Sequence, residues 1–466
     1  MSNITLIDIL PLDRELKGIF DDIIGLKYKA QDILYANKGL KYPFQRGKKD
    51  FSRGLLTISS FLKSRGHNVK YTTNKNDFLS LINDGDFVAV PTITPYMNLV
   101  QNIVKTVKKQ KDVKVVLGGY HSNFLPKETF SFIPEADFIV HGEGELSTAN
   151  LIEGNLTFPG ISLNNNGSYK ISNKTSLLSA EEIPNPDYSL LPLSLENYRF
   201  NIQTARGCLY RCDFCVNGFF WGNPRYTSID KVEQELVFLS SVLPEETFIH
   251  FSDNIFTASK KHALDVCDII INNNINFQFS GDIRAKFIDE ELVKKMEDAN
   301  FKRLCLGFED ANDSIVSKSK GYLNLEDNIK SAKVIRNNSN IVIEAYWIIG
   351  LPGTNFEFML NNLNIAEQLV NENIVDALAT STIFTPLPGS PIYNTPEKFD
   401  VNIKNKNWDA YIRHNYEPIY SLSNLNQNQL KSYLLLFEST LLKTYCNKIG
   451  IEEKDVLKVH KNMFAK

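Results

Sequence analysis

Cys208, Cys212 and Cys215 stand in the run Arg206-Gly207-Cys208-Leu209-Tyr210-Arg211-Cys212-Asp213-Phe214-Cys215. A C-x3-C-x2-C spacing on one short loop restricts what the surrounding chain can be. Three thiolates this close together can wrap three corners of a cubane iron–sulfur cluster, whereas an electron-transfer cluster takes four Cys. No fourth Cys is near, and Cys267, Cys305 and Cys446 lie in apolar contexts that read as buried structural thiols. The fourth iron of a [4Fe-4S] cluster would then be open to an outside ligand, as a catalytic metal keeps a position that a structural one closes. A structural zinc knuckle is the alternative, and it needs a second Cys/His couple that the sequence does not supply.

The chain of 466 residues is too long for one ordinary core and suggests two or three domains. Its 43% hydrophobic and 23% charged residues are those of a globular protein, and a net charge of −3 offers no basic footprint for nucleic acid. No apolar run approaches membrane-spanning length. The start, Met1-Ser2-Asn3-Ile4-Thr5-Leu6-Ile7-Asp8, reads as an acidic strand and not a signal peptide. A cytoplasmic location is expected, since an oxygen-sensitive cluster needs a reducing compartment.

Residues 1–154 alternate strands and helices. The strands are predicted at Ile4–Ile9, Asn68–Tyr71, Phe87–Val90, Val113–Leu117 and Phe138–Val140, with helices over Gly54–Lys63 and around Leu99, Ile103 and Val107. This is the pattern of a doubly wound parallel α/β sheet, which binds ligands at the carboxyl ends of its strands. Those ends carry Thr92-Ile93-Thr94, Gly118-Gly119-Tyr120-His121 and Gly142-Glu143-Gly144-Glu145. Glycine there admits close approach of a flat ligand, although taken alone such glycines are turn residues. Residues 155–199 read as a hairpin (Phe158–Leu163 and Tyr169–Ile171 about Asn164-Asn165-Asn166-Gly167) and an extended linker at Pro184-Asn185-Pro186.

Six βα units follow over 200–395, with strands at Phe200–Thr204, Thr247–Ser252, Phe277–Gly281, Arg303–Phe308, Ile341–Ile349 and Leu378–Phe384. Six parallel units make a partial (βα)6 barrel open on one side, with chemistry at the carboxyl ends of its strands, and the cysteine loop follows the first strand. Residues 396–466, with Trp408, Tyr411, Tyr416 and Tyr420 before a helix carried by Leu430, Leu434, Phe437 and Leu441, form a small C-terminal helical cap.

The cysteine spacing, the preceding Arg-Gly and the aromatic Phe214 before the third Cys resemble the radical SAM superfamily. The order of the remaining motifs resembles its members that carry an N-terminal cobalamin-binding domain: Gly-Gly-x-His with Pro126 shortly after, then Gly-Glu-Gly-Glu, a Pro-rich linker and the cysteine loop. The resemblance implies a Rossmann-like cobalamin-binding-like domain, then a TIM-type partial barrel. It places the cluster on Cys208, Cys212 and Cys215, and S-adenosylmethionine (SAM) at Phe214, Asp253, Asn254, Arg284, Glu309, Gly350 and Pro386. Arg284 could grip the SAM carboxylate as a fork, and Asp253-Asn254 could orient its amino group or be satisfied loop residues. Gly307-Phe308-Glu309-Asp310 is similar to a Gly-x-Glu-Ser element, with a charge at Asp310 where a small residue is usual. Thr94, Gly118, Gly119 and Gly142 would border cobalamin. The earliest His, His67, sits in the turn Arg65-Gly66-His67-Asn68-Val69, so a His ligand to cobalt from an early loop looks absent.

The same resemblance implies reductive cleavage of SAM to a 5′-deoxyadenosyl radical that abstracts substrate hydrogen, with electrons from a flavodoxin- or ferredoxin-type donor. With cobalamin the outcome would be methylation of an unactivated carbon. Without it, cyclisation, rearrangement or dehydrogenation would follow, and a non-catalytic iron–sulfur or corrinoid-binding regulator is a third reading. The substrate stays open among small molecules, lipid precursors and peptides.

Overall fold

In the computed structural model, the described residues are 1–9, 19–40, 48–73, 78–172, 177–321, 324–379, 382–405, 407–411 and 416–464. Two parallel sheets dominate. The first runs in the order Asn68–Thr72, Asn3–Ile7, Phe87–Pro91, Lys114–Gly118 and Phe138–Val140, all parallel, then Ile161–Asn165 and Ser168–Lys170 antiparallel. The strand order reverses between Asn3–Ile7 and Phe87–Pro91, and a crevice opens there at the carboxyl ends. The hairpin expected in the join is thus the antiparallel edge of this sheet. Its strand Ile161–Asn165 pairs antiparallel with Phe138–Val140 after the helix Gly144–Ile152, and the tight turn at Asn166-Gly167 returns the chain as Ser168–Lys170 beside it.

Flanking helices form where apolar residues recur every three or four positions. Met97–Gln110 buries Met97, Val100, Ile103, Val104 and Val107 as one stripe and ends in Lys108 and Lys109, which complement the helix C-terminus. Arg53–Ser64 starts at Ser52, whose Oγ accepts from the Leu55 N–H at 3.3 Å.

The second sheet is the partial barrel. Phe200–Ile202, Phe248–Phe251, Gln278–Ile283, Phe301–Glu309, Val342–Ile349 and Ala377–Leu378 are parallel and adjacent in chain order. Thr382–Ile383 continues the last position further along Val342–Ile349, while positions 380 and 381 of the expected strand lie outside the described residues. Behind it, Phe251, Phe256, Phe279 and Phe301 form a fully buried aromatic cluster with ring centroids 4.7–5.7 Å apart.

Helix Ile19–Ala36 departs from the 1–154 grouping. It packs on the long helix Gln427–Ile449 and on Val456–Phe464, not on the first sheet. Lys27 Nζ lies 2.7 Å from Glu438 Oε2 with both side chains buried, and His460 Nε2 is 2.8 Å from Asp32 Oδ2. Gln31 reaches Glu344 at 3.4 Å, where Glu344 also takes the Arg303 guanidinium at 2.9 Å. This helix thereby covers the amino-end floor of the barrel, where Glu344 and Arg303 stand near the starts of their strands.

Candidate active site

The three cysteines sit on a loop fixed from both sides. Gly207 takes φ +106°, and a Cβ there would collide with the Asn223 carbonyl oxygen, so the first turn closes only on glycine. The Gly207 carbonyl accepts from Asn254 Nδ2 at 2.8 Å, and Asn254 Oδ1 accepts from Asn217 Nδ2 at 2.6 Å. Around the sulfurs, the Tyr210 N–H approaches Cys208 Sγ at 3.5 Å, the Asn217 N–H approaches Cys215 Sγ at 3.4 Å and Arg284 Nη1 stands 4.0 Å from Cys212 Sγ.

Burial raises the Cys212 thiol and pushes Cys215 up to about 11, the neighbouring Cys212 and Cys208 adding to the latter; Lys320 and Arg284 act in the opposite sense on Cys212. A coordinating metal centre deprotonates such thiols outright. Among the described residues, no group of three or more His, Cys, Asp or Glu is arranged to hold a single metal ion. A cubane holds its ligands at the corners of a body larger than one ion. Three half-buried thiols backed by N–H groups and two cations fit a [4Fe-4S] cluster.

Glu309 and Lys320 form a buried ion pair at 2.9 Å above Gly307, whose carbonyl also accepts from Lys320 Nζ at 2.5 Å. A Cβ on Gly307 would come within 2.6 Å of both partners, so the glycine makes their room. Glu309 itself holds φ +67°, a left-handed conformation uncommon for a residue with a side chain and one that clusters at functional sites. Lys320 has no counterpart among the sequence-predicted site residues. It ends the helix Asp313–Lys320, and only the fold brings it to Gly307, thirteen residues away.

Several expected SAM contacts are placed differently. The fork of Arg284 is already engaged: Nη2 donates to the Lys320 and Gly321 carbonyls at 2.9 and 3.1 Å, and the guanidinium lies 3.4 Å over the Tyr210 ring. Among the described residues its buried Nε has no partner, which leaves it open to an acceptor. Asp253 is a satisfied loop residue. Its carboxylate accepts from the Thr204 N–H, the Thr204 hydroxyl and the Ala205 N–H at 2.5–2.9 Å, and burial raises it to about 6. Asp310 adds no charge to the site, because it turns to Asn312 and Asn362 at 2.7–3.1 Å, with burial raising it to about 7.

Asn254 serves the cluster loop, as described. Phe214 is half-buried against the main core, and Pro386 is buried just beyond Thr382–Ile383. Gly350, at φ +79°, gives its carbonyl to the Tyr420 hydroxyl at 2.5 Å, which docks the C-terminal cap onto the barrel.

Gly118, Gly119 and Gly142 line one cavity at the crevice of the first sheet, with Leu55, Val90 and Val116 on its apolar side. Gly119 at φ +107° would put a Cβ 2.9 Å from the Thr92 carbonyl oxygen, so this cradle also depends on glycine. Thr94 lies outside the lining and is hydrogen-bonded at 3.2 Å to His121 Nδ1. Among the described residues no His lines the cavity, and Glu143, Glu145 and Arg206 add charge to its otherwise apolar, glycine-floored lining.

The far wall of the cavity comes from the barrel: Arg206, Phe220 and Trp221. Trp221 Nε1 donates to Tyr120 Oη at 2.7 Å, and Tyr120 Oη donates to Asn217 Oδ1 at 3.1 Å. Burial pushes the Tyr120 phenol up to about 12, so it stays a donor. Sequence reasoning quoted Glu143 and Glu145 only for their glycines, yet both carboxylates face Arg206, and Glu143 also pairs with Arg225.

A glycine-floored crevice on a doubly wound sheet, joined to a barrel whose first loop holds three thiols, defines a protein that pairs a corrinoid-type pocket with an open cluster site. Two family models match accordingly: the B12 binding domain over residues 48–152 and the radical SAM superfamily over 202–363. The chain belongs to the radical SAM superfamily and carries an N-terminal B12-binding domain; it is an enzyme whose cofactors are a [4Fe-4S] cluster, SAM and cobalamin.

Among curated proteins it is 26% identical to an uncharacterized methyltransferase of Pyrococcus horikoshii, over 75% of this chain and 77% of the relative. It is 25% identical to the anaerobic magnesium-protoporphyrin IX monomethyl ester cyclase of Rubrivivax gelatinosus, over 66% of this chain and 58% of that protein's length. The solved structure of TsrM, a radical S-adenosylmethionine methyltransferase from Kitasatospora setae with cobalamin and a [4Fe-4S] cluster bound, shares the fold with a TM-score of 0.68 at 14% identity, covering 98% of this chain and 90% of TsrM.

Proposed function

We propose that this enzyme methylates an unactivated carbon of its substrate in the mouth of the partial barrel. The observation that carries the reading is the shared wall, in which Arg206, Phe220 and Trp221 line the cobalamin cavity while Arg206 stands two residues before Cys208. When bound, the cluster and SAM supply a hydrogen-abstracting 5′-deoxyadenosyl radical and cobalamin supplies the methyl group. The chain's own contribution is placement. Asn217 and Asn254 hold the loop, Lys320 and Glu309 present a paired charge beside it, and Tyr120, bonded to both Trp221 and Asn217, ties the first sheet to the cluster loop. The methyltransferase similarity supports this reading, and the similarity to the cyclase supports a second one, radical ring closure.

The electron donor is a flavodoxin- or ferredoxin-type protein, and the substrate is a small molecule, lipid precursor or peptide. No helix of the described residues is long and apolar enough to cross a membrane. We assign the enzyme to the cytoplasm because its oxygen-sensitive centre needs a reducing compartment. The test is anaerobic turnover with SAM, a reductant and extracts of candidate substrates. Methylation requires 5′-deoxyadenosine and S-adenosylhomocysteine to rise together, and 5′-deoxyadenosine rising alone selects ring closure or another radical outcome.

A further inference from the structure

Between the covered floor and the cluster loop, the barrel lumen holds one polar layer that neither the cluster nor the SAM contacts use. Ser280, Asp282 and Arg284 alternate along one strand, so their side chains share the inner face. Arg284 stacks on Tyr210 of the cluster loop, and Asp282 therefore lies one side-chain layer beneath it, roughly 7 Å along the strand.

Tyr346 Oη donates to Asp282 Oδ1 at 2.8 Å, and His250 Nε2 stands 3.7 Å from the same oxygen while its Nδ1 meets Ser280 Oγ at 2.8 Å. The Asp282 and His250 side chains are 31% and 27% exposed, in a region where the neighbouring layers are closed. Charge is the telling feature. Glu344 below is matched by Arg303 and Glu309 above by Lys320, whereas among the described residues Asp282 has no Lys or Arg within ion-pair distance, and the imidazole of His250 stands beyond hydrogen-bond reach. A carboxylate held by a phenol donor, partly exposed and with no Lys or Arg in ion-pair reach among the described residues, is complementary to a cation that arrives with the ligand.

We infer that Asp282, His250 and Tyr346 form the substrate-recognition subsite of the barrel and that the substrate carries a protonated amine, which Asp282 binds. The inference rests on the reaction proposed above only in placing the substrate in the lumen. Its test reads binding, so that the two can fail separately.

Full-length, cluster-reconstituted protein with SAM is titrated anaerobically with butylamine, butanol and butyrate, followed by ligand-observed NMR. Butylamine should bind roughly tenfold or more tightly than either of the others, as one charge-assisted contact provides. Asp282→Asn should erase that preference, while Asp289→Asn, on the outer surface, should keep it. Should Asp282→Asn not fold, Asp282→Ser is read in the same way. Equal binding of the three probes, or a preference that survives at Asp282→Asn, overturns the inference. SAM cleavage by the dithionite-reduced protein, read as 5′-deoxyadenosine without substrate, reports on the reaction independently.

Discussion

The Arg206 guanidinium donates to Glu145 at 2.8 Å across the boundary between the first sheet and the barrel, with both side chains buried. One residue of this pair helps close the cobalamin cavity and the other leads into Cys208. Glu143, 3.5 Å from Arg206 and paired also with Arg225, completes a four-charge set with no net charge. Removing one member leaves an uncompensated buried charge, which costs about 3–5 kcal/mol.

Glu145→Gln is expected to lower unfolding stability by an amount of that order and to loosen cobalamin retention on gel filtration with the cluster content unchanged. Denaturant titration and the corrinoid absorbance of the eluted protein check both. Wild-type stability together with wild-type retention would remove the coupling role assigned to this pair.

Alanine at Cys208, Cys212 or Cys215 should abolish SAM cleavage and reduce iron bound after anaerobic reconstitution. Cys267, Cys305 and Cys446 are buried. Alanine at each should keep the iron and cost stability only, about 1 kcal/mol. Full SAM cleavage by Cys212→Ala would sink the cluster assignment.

Gly307→Ala tests the Glu309–Lys320 pair. The added methyl meets the far ends of two flexible side chains, so the protein should fold with a modest loss of stability while the pair is displaced. SAM affinity, measured by equilibrium dialysis on the reconstituted protein, should fall by roughly tenfold, the loss of one charge-assisted contact. Unchanged affinity would place SAM elsewhere.

His121 and His141 predict an acid-labile first sheet. Burial lowers each to about 4, whereas the unfolded chain titrates near the ordinary value of 6.5. Between these two values the unfolded state binds more protons than the folded one. Stability is therefore full above pH 6.5 and is lost as pH falls toward 4, by about 2–3 kcal/mol for each His. His141→Asn should flatten the fall in denaturant midpoint between pH 6.5 and 4.5. A slope identical to wild type would show that His141 is not the group being protonated.

Much of this protein was written in local order. The cysteine spacing marked the loop and its open cluster, and the alternation of apolar runs with helical stripes marked both parallel sheets, because periodicity and turn chemistry are short-range properties of the chain. Only the tertiary structure decided what each polar side chain faces. Asp253 and Asp310 look like site residues by position, yet backbone and side-chain donors from nearby loops consume them. Lys320 lacks a motif and Tyr120 is only the unspecified position of Gly-Gly-x-His, yet both reach the centre, brought by a helix end and by the packing of one sheet against another. Helix Ile19–Ala36 precedes most of the first sheet and yet floors the barrel, since buried pairs such as Lys27 with Glu438 join residues hundreds of positions apart. A sequence pattern fixes which face of an element is apolar, but the partner of a charge depends on how complete elements pack, and that is settled only when the chain has folded.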